Sequence, residues 1–418
     1  MNVELGVIAD DITGACDVAA GVSEAGVFAE VRLGVPDPSV SPKASCVVVA
    51  LKSRTATPAR AVGDSVASAR ALRGWGARHL YQKYCSTFDS TDQGNIGPVA
   101  DALLAVVGPG SASIGTPATP AAGRTMHRGH LFVGDRLLSE SSLAHHPLTP
   151  MHDPDLVRVL GRQTPLPVAS IAIEDVRTGP EAIARRVAAL RAEGVRHILV
   201  DAVEDSDLDS VATAVDALDD VLLTGAAGLA QALARATAEG GAASAAPAPP
   251  AGRALILSGS GSARTRAQVA AFGAPAFLLE MEDLADDFES VVDRAVAFAE
   301  EGDLPLISAT AEPEAVRRTQ QRWGIDQSAA MIEHALARIA EIAVERLGVR
   351  RILVAGGETS GAVAAALRLD RLVVRRVAAP GVPWMSGTDA AGRVLDVCFK
   401  SGNFGGESFF RDAWKEPS

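Results

Sequence analysis

Residues 4–17 read ELGVIADDITGACD, and the way this stretch is built decides the fold class. An apolar run from Leu5 to Ala9 leads straight into the adjacent carboxylates of Asp10 and Asp11; Thr13, Gly14 and an alanine-rich segment follow. The first part has the make-up of a buried strand. The last has that of a helix, expected from about Ala15 to Glu24 and closed by Gly26. Two carboxylates side by side repel each other, so a cation, or a proton to be taken, is expected opposite them. A strand that ends in polar groups just before a helix is the repeating unit of a parallel α/β sheet, where ligands bind outside the carboxyl ends of the strands.

The same alternation continues outward. FAEVRL and SCVVVAL read as strands, then come a helix near 59–73, the strand HLYQ, a helix near 96–107, ASIG, a helix near 180–193 and RHILVDAV. Asp10 and Asp11 thus stand at one strand end, Lys52 and Arg54 at a second, and Lys83 at a third. Residues 239–252, EGGAASAAPAPPAG, lack the side chains to build a core and read as a linker. They divide the chain into an N-terminal α/β domain over 1–238 and a C-terminal α/β domain over 253–418, as the length of 418 residues also favours. Beyond the linker the expected order is RALIL, a helix near 264–272, AFLLE, a helix near 287–300, PLISA, a long helix over about 328–347, RRILVA, a helix near 360–367, RLVVRRV and RVLDVCF. The fold class is therefore α/β, two domains, each a largely parallel or mixed sheet flanked by helices, with the active site expected in the cleft between them.

A net charge of −12 argues against a nucleic-acid or anionic-membrane partner, since both need a basic surface. Cys16, Cys46, Cys85 and Cys398 are scattered with no CxxC, the pattern of free thiols in a reducing cytoplasm. No signal peptide and no apolar run long enough to span a bilayer is read from the sequence. Of 39 basic residues only five are lysines, Lys43, Lys52, Lys83, Lys400 and Lys415, and three of them directly follow strand-like runs. A compact ammonium in such a place suits a phosphate or carboxylate.

Three glycine-rich stretches in the second domain point to a phosphate chain held by backbone amides. They are Ser258–Ser262 (SGSGS), Gly356–Gly361 (GGETSG) and Phe399–Gly406 (FKSGNFGG). Neither familiar fingerprint fits: Arg264 stands where GxGxxG needs its third glycine, and no Gly-Lys dipeptide exists for a P-loop. In the first domain YQKYCSTFDSTDQGNIGPV gathers Ser86, Thr87, Ser90 and Thr91 beside Lys83 and Asp89, which suits a small polyhydroxy acid as well as it suits a capped loop. Five of the eight histidines, His127, His130, His145, His146 and His152, fall in one segment whose spacing matches no zinc template; it reads as a substrate-covering segment or an interface.

IADDITGACD, LKSRT, KYCSTFDSTDQGNIGPV, GRTMHRGHLFVGDRLLSES with HHPLTPM, LLTGAAGLAQAL, LSGSGSARTRAQV, GGETSGAV, APGVPWM and KSGNFGGESFF together resemble the four-carbon acid sugar kinase family, most closely its 3-oxo-tetronate kinase branch. The resemblance implies ATP-dependent phosphorylation of a terminal hydroxyl on a four-carbon sugar acid, with the acid in the N-terminal domain and ATP in the C-terminal one. Carried onto matching positions, it implies an acid site of Asp10, Arg54, Lys83, Ser86, Asp89 and Ser90. The implied nucleotide site is Ser258, Ser260, Gly356, Gly357, Glu358, Thr359 and Gly402. On this basis Arg54 and Lys83 are expected to hold the substrate carboxylate, Asp10 or Asp11 to take the hydroxyl proton or bind Mg²⁺, and Lys400 to add countercharge. The implied partners are the sugar acid and ATP, with no nucleic acid or membrane, and a homo-oligomer is compatible with the sequence. Kinases of threonate or erythronate, a non-catalytic sensor of sugar acid and nucleotide, and a nucleotide-dependent dehydrogenase remain as alternatives.

Overall fold

A computed structural model describes residues 3–145, 149–237, 248–273 and 275–415, and the chain forms two compact units, Met1–Ser244 and Ala245–Ser418. Residues 239–247 of the expected linker lie outside the described residues.

The N-terminal unit begins with β1 (Leu5–Ala9), α1 (Ile12–Glu24), β2 (Ala29–Leu33), β3 (Cys46–Ala50), α2 (Pro58–Gly74), β4 (His79–Lys83), α3 (Ile96–Val107) and β5 (Ala112–Thr116). A small antiparallel sheet follows, made of β6 (Arg124–His127), β7 (His130–Val133) and β8 (Arg136–Leu137). The unit closes with α4 (Leu156–Gly161), β9 (Val168–Ile171), α5 (Ile173–Thr178), α6 (Pro180–Ala192), β10 (His197–Val200), α7 (Asp205–Asp216), β11 (Val221–Gly225) and α8 (Ala227–Thr237). Its main sheet runs β2-β3-β1-β4-β11-β5-β10-β9, parallel throughout. All five residues of β1 are buried, as a central parallel strand covered by helices on both faces requires. After β1 the chain crosses to β2 and β3 on one side, then to β4 on the other. The β1/β4 boundary is therefore the topological switch point, where the chain leaves a crevice at the strand tips. Register places Ala9 beside Ala50 and Lys83, so the residues that follow β1 and β3 meet the end of β4.

The C-terminal unit contains β12 (Arg253–Ser258), α9 (Ala263–Phe272), β13 (Ala276–Leu278), α10 (Met281–Asp286), α11 (Phe288–Glu301), β14 (Leu306–Ser308), α12 (Pro313–Trp323), α13 (Ile325–Arg346), β15 (Val349–Ala355), α14 (Gly357–Ala366), β16 (Arg371–Ala379), β17 (Val382–Thr388), β18 (Val394–Lys400) and α15 (Phe409–Asp412). Its strands follow the order β13-β14-β12-β15-β18-β17-β16. The first five are parallel; β17 is antiparallel to both β18 and β16, so this sheet is mixed. Here the switch point lies between β12 and β15. Ser258, Ala355 and Lys400, the last residues of β12, β15 and β18, stand side by side in register.

Candidate functional site

In the N-terminal unit the opening acids have their cation. The Arg54 guanidinium donates from Nε to Asp10 at 2.8 Å and from Nη2 to Asp10 at 2.9 Å, and Nη2 also lies 2.8 Å from an Asp11 carboxylate oxygen. The structure thus turns the fork of Arg54 onto the two aspartates, where the sequence led us to expect it on a substrate carboxylate. Asp11 is the N-cap of α1, its carboxylate accepting the Gly14 amide at 2.6 Å. Burial works to raise the Asp11 pKa, yet Arg54, Lys83 and the Gly14 amide together hold it below the usual carboxylate range.

Lys83 ends β4 with its side chain buried. Its ammonium passes over the first turn of α1: a Cβ on Gly14 would lie 2.2 Å from Lys83 Nζ and 2.5 Å from Asp11 Oδ1. Gly14 is a glycine because the lysine occupies that space. Asp17, one turn further along α1, is half-buried, and burial pushes its carboxyl up to about 6 against the pull of Lys83.

Asp10, Arg54, Lys83, Asp89 and Ser90 line one pocket of about 370 Å³, open mouth included, together with Ser53, Gln82 and Asn95. Five of the six residues implied for the acid site are therefore brought together. Ser86 is not among the lining residues, and neither is Asp11, which faces the helix it caps. The Asp89 carboxylate accepts from the Thr87 hydroxyl at 2.6 Å, and Ser90 Oγ accepts from Gln163 Nε2 at 2.7 Å.

Two residues that shape this pocket were not singled out from the sequence. Asn95 Nδ2 donates to the carbonyls of Ser53 at 2.7 Å, Arg54 at 3.3 Å and Ala56 at 2.8 Å, and so fixes the turn that carries Arg54. Gln163 holds Ser90 and the Thr91 carbonyl, at 2.7 Å each, and accepts the Gly97 amide at 3.0 Å. Asn95 sits inside the hydroxyl-rich stretch YQKYCSTFDSTDQGNIGPV, which is its signal in the sequence; nothing local marks Gln163.

In the C-terminal unit the three glycine-rich stretches converge at adjacent strand ends. A Cβ on Gly259 would lie 2.2 Å from Thr359 Oγ1, one on Gly402 would lie 2.5 Å from Ser260 Oγ, and one on Gly356 would lie 3.3 Å from the Ser260 amide nitrogen. Gly356 has φ +122°, a conformation that favours glycine, and it starts α14 at Gly357 rather than near 360. Gly357, Glu358 and Thr359 are therefore the first turn of a helix, with the positive end of its dipole at the strand tips. Ser258 is buried, its hydroxyl 2.7 Å from that of Thr310, which in turn donates to the Ser260 carbonyl at 3.0 Å. Lys400 is wholly buried and donates to the carbonyls of Ser401 at 2.9 Å, Gly402 at 3.1 Å and Phe404 at 3.3 Å and to Thr265 Oγ1 at 3.2 Å. Burial pushes its pKa down to about 7, with Cys398 pulling the other way and the Arg264 charge adding to the depression.

The histidine segment forms the β6–β8 sheet and the turns after it; His146 lies outside the described residues. Among the described residues no group of three or more His, Cys, Asp or Glu converges to hold a metal ion. Cys16, Cys46, Cys85 and Cys398 form no disulfide, and no helix among the described residues is long and apolar enough to cross a membrane.

Comparison with known proteins places both halves. A sugar-binding N-terminal domain family matches residues 5–233, and a nucleotide-binding C-terminal domain family matches residues 255–410. The 3-oxo-tetronate kinase of Burkholderia multivorans is 46% identical over 98% of this chain and 96% of its own length. That of Methylobacterium radiotolerans is 47% identical over 98% of each. A solved structure from Salmonella typhimurium LT2, under the name of a tRNA synthase, is 35% identical and covers 99% of both chains with a TM-score of 0.86.

Proposed function

The chain belongs to the four-carbon acid sugar kinase family, and from that premise we infer that it is an ATP-dependent kinase that phosphorylates the terminal C4 hydroxyl of 3-oxo-tetronate. The observation that carries the kinase chemistry is the meeting of three glycine-rich strand tips, Ser258–Ser262, Gly356–Thr359 and Lys400–Gly406, at one switch point. The choice of acid follows the near full-length relatives.

Phosphoryl transfer asks the protein for placement and neutralised charge more than for covalent help. The acceptor hydroxyl oxygen bonds to the γ-phosphorus while the bond to the β,γ-bridging oxygen breaks and ADP leaves. Asp10, which faces the pocket while Asp11 caps α1, orients that hydroxyl and receives its proton. Arg54 holds the two acids at fixed distance through Nε and Nη2, its charge spent on them, which leaves Lys83 as the main cation for the substrate carboxylate. Asp89 and Ser90 take the remaining hydroxyls. In the second unit the Gly356–Thr359 turn and the Ser260 and Gly402 loops take the triphosphate on backbone amides. Mg²⁺ would come with the triphosphate, since among the described residues no cluster of three or more acids, histidines or cysteines is gathered to hold it.

ADP release in a coupled assay, measured across 3-oxo-tetronate, threonate and erythronate, tests the reading. Turnover should be fastest with 3-oxo-tetronate. A preference for threonate or erythronate would move the chain to a sister activity, and binding of acid and nucleotide without ADP release would mark a sensor. Asp10→Asn should lower kcat by roughly 10²–10⁴-fold with an unchanged circular dichroism spectrum; wild-type turnover in that variant removes Asp10 from the reaction.

A further inference from the structure

Resting on the assignment of the triphosphate to the C-terminal unit, we propose that Lys400 is the internal cation of the nucleotide site: a positioning residue whose ammonium gathers the carbonyls of the 401–406 loop and so turns that loop's amides outward as an anion cradle.

The geometry of the loop carries this. Lys400 Nζ takes the carbonyls of Ser401, Gly402 and Phe404. The Gly402 carbonyl also accepts from Ser262 Oγ at 2.7 Å and Thr265 Oγ1 at 2.9 Å. Gln268 Nε2, one helical turn on, takes the carbonyls of Phe404 at 3.0 Å, Gly405 at 3.3 Å and Gly406 at 2.9 Å. Every peptide unit among the described residues is trans or close to it, and in a trans peptide the C=O of one residue and the N–H of the next point in opposite directions. With the carbonyls of 401, 402, 404, 405 and 406 drawn inward, the amides of Gly402, Asn403, Gly405, Gly406 and Glu407 face the other way. Asn403, Gly406 and Glu407 are exposed, and Gly405 has φ +78°, the left-handed conformation from which successive amides form an anion-binding concavity.

Charge points the same way. Among the described residues Lys400 has no carboxylate partner; burial pushes its pKa down to about 7, and in its protonated form the ammonium, held by neutral oxygens, puts a net positive field behind the loop that an anion there would strengthen by favouring the charged form. An anion on the outer face of the loop completes the pair without touching the lysine. This differs from a lysine that reaches the phosphate itself, because the four oxygens already occupy the Nζ protons. A tethered ammonium here does the work a bound potassium ion would do at such a ring of carbonyls, and the wild-type enzyme should be indifferent to added potassium.

The test uses the full-length enzyme and a non-hydrolysable ATP analogue in calorimetry, alongside steady-state kinetics. Lys400→Met keeps the length of the stem and removes the charge; it should weaken analogue binding and raise the ATP KM at least about tenfold while the KM for the sugar acid stays within about twofold. In Lys400→Ala, added ammonium or methylammonium should restore part of the lost ATP affinity, and tetramethylammonium at equal ionic strength should not. Should the lysine variants fail to fold, Gln268→Leu removes the second clamp and is expected to raise the ATP KM in the same selective way. Wild-type analogue affinity in both Lys400→Met and Gln268→Leu, or equal loss toward ATP and acid without ammonium rescue, overturns the proposal. If instead the wild-type protein binds no analogue at all, it is the nucleotide reading that fails, and the two failures are told apart on the same instrument.

Discussion

Single residues decide what the N-terminal pocket can do. Asp10 and Asp11 were legible as a pair needing a positive partner, and Arg54 was legible as a strand-tip cation. That the two satisfy each other was not legible, because a contact between residues 44 positions apart depends on register between β1 and β3. Gly14 shows the same limit: its smallness has meaning only once Lys83 is seen lying over it. Gly14→Ala should displace both the lysine tip and the capping carboxylate of Asp11, so stability should fall by about 1–2 kcal/mol while the KM for the sugar acid rises strongly. A denaturant melt and an acid titration check this, and an unchanged acid KM would separate Lys83 from the substrate. Asn95→Ala leaves three carbonyls around the Arg54 turn without their common donor. It should cost about 1–3 kcal/mol by urea denaturation and lower kcat more than it raises KM, since it loosens the arginine that fixes the acids.

At the level of elements, periodicity served well where a face is buried. The helices expected near 59–73, 96–107 and 180–193 appear as α2, α3 and α6. It served poorly elsewhere. β17, VPWMSGT, carries Pro383 and Gly387 and was not read as a strand, yet it lies antiparallel between β16 and β18 with Trp384 and Met385 buried. The small β6–β8 sheet escaped for want of any alternation longer than four residues. α1 buries Ile12, Thr13 and Cys16 together with its alanines, valines and glycines, and the half-buried Asp17 beside them is the costly residue. Burial raises its pKa from 3.8 to about 6, so above pH 6 the charge is held at full cost, and the cost fades as pH falls toward 3.8 where folded and unfolded chains are both protonated. Asp17→Asn should therefore be more stable than the wild type at pH 8, with the difference shrinking between pH 6 and pH 4; thermal melts across that range decide, and a gap that does not change with pH would refute it.

The whole molecule repeats one solution in each unit: an α/β sheet whose chain reverses direction beside its first strand, with polar groups at the tips on either side. This was the most legible level, because strand-helix alternation needs no tertiary information. Which tip residues are buried was hidden, which is why Ser258 and Lys400 were read as ligand-facing. Hydrogen exchange offers a test across the chain. A non-hydrolysable ATP analogue should slow exchange in 259–262, 356–360 and 401–407, and the sugar acid should slow it in 10–15 and 84–95; nucleotide protection confined to the N-terminal unit would contradict the assignment. The depth at which Lys83 and Lys400 lie, 4% and 0% exposed, bears on how the protein can be handled. Amine-reactive coupling to a bead or a dye would meet the exposed Lys43, Lys52 and Lys415 first, and under limiting reagent both strand-tip ammoniums should stay unmodified.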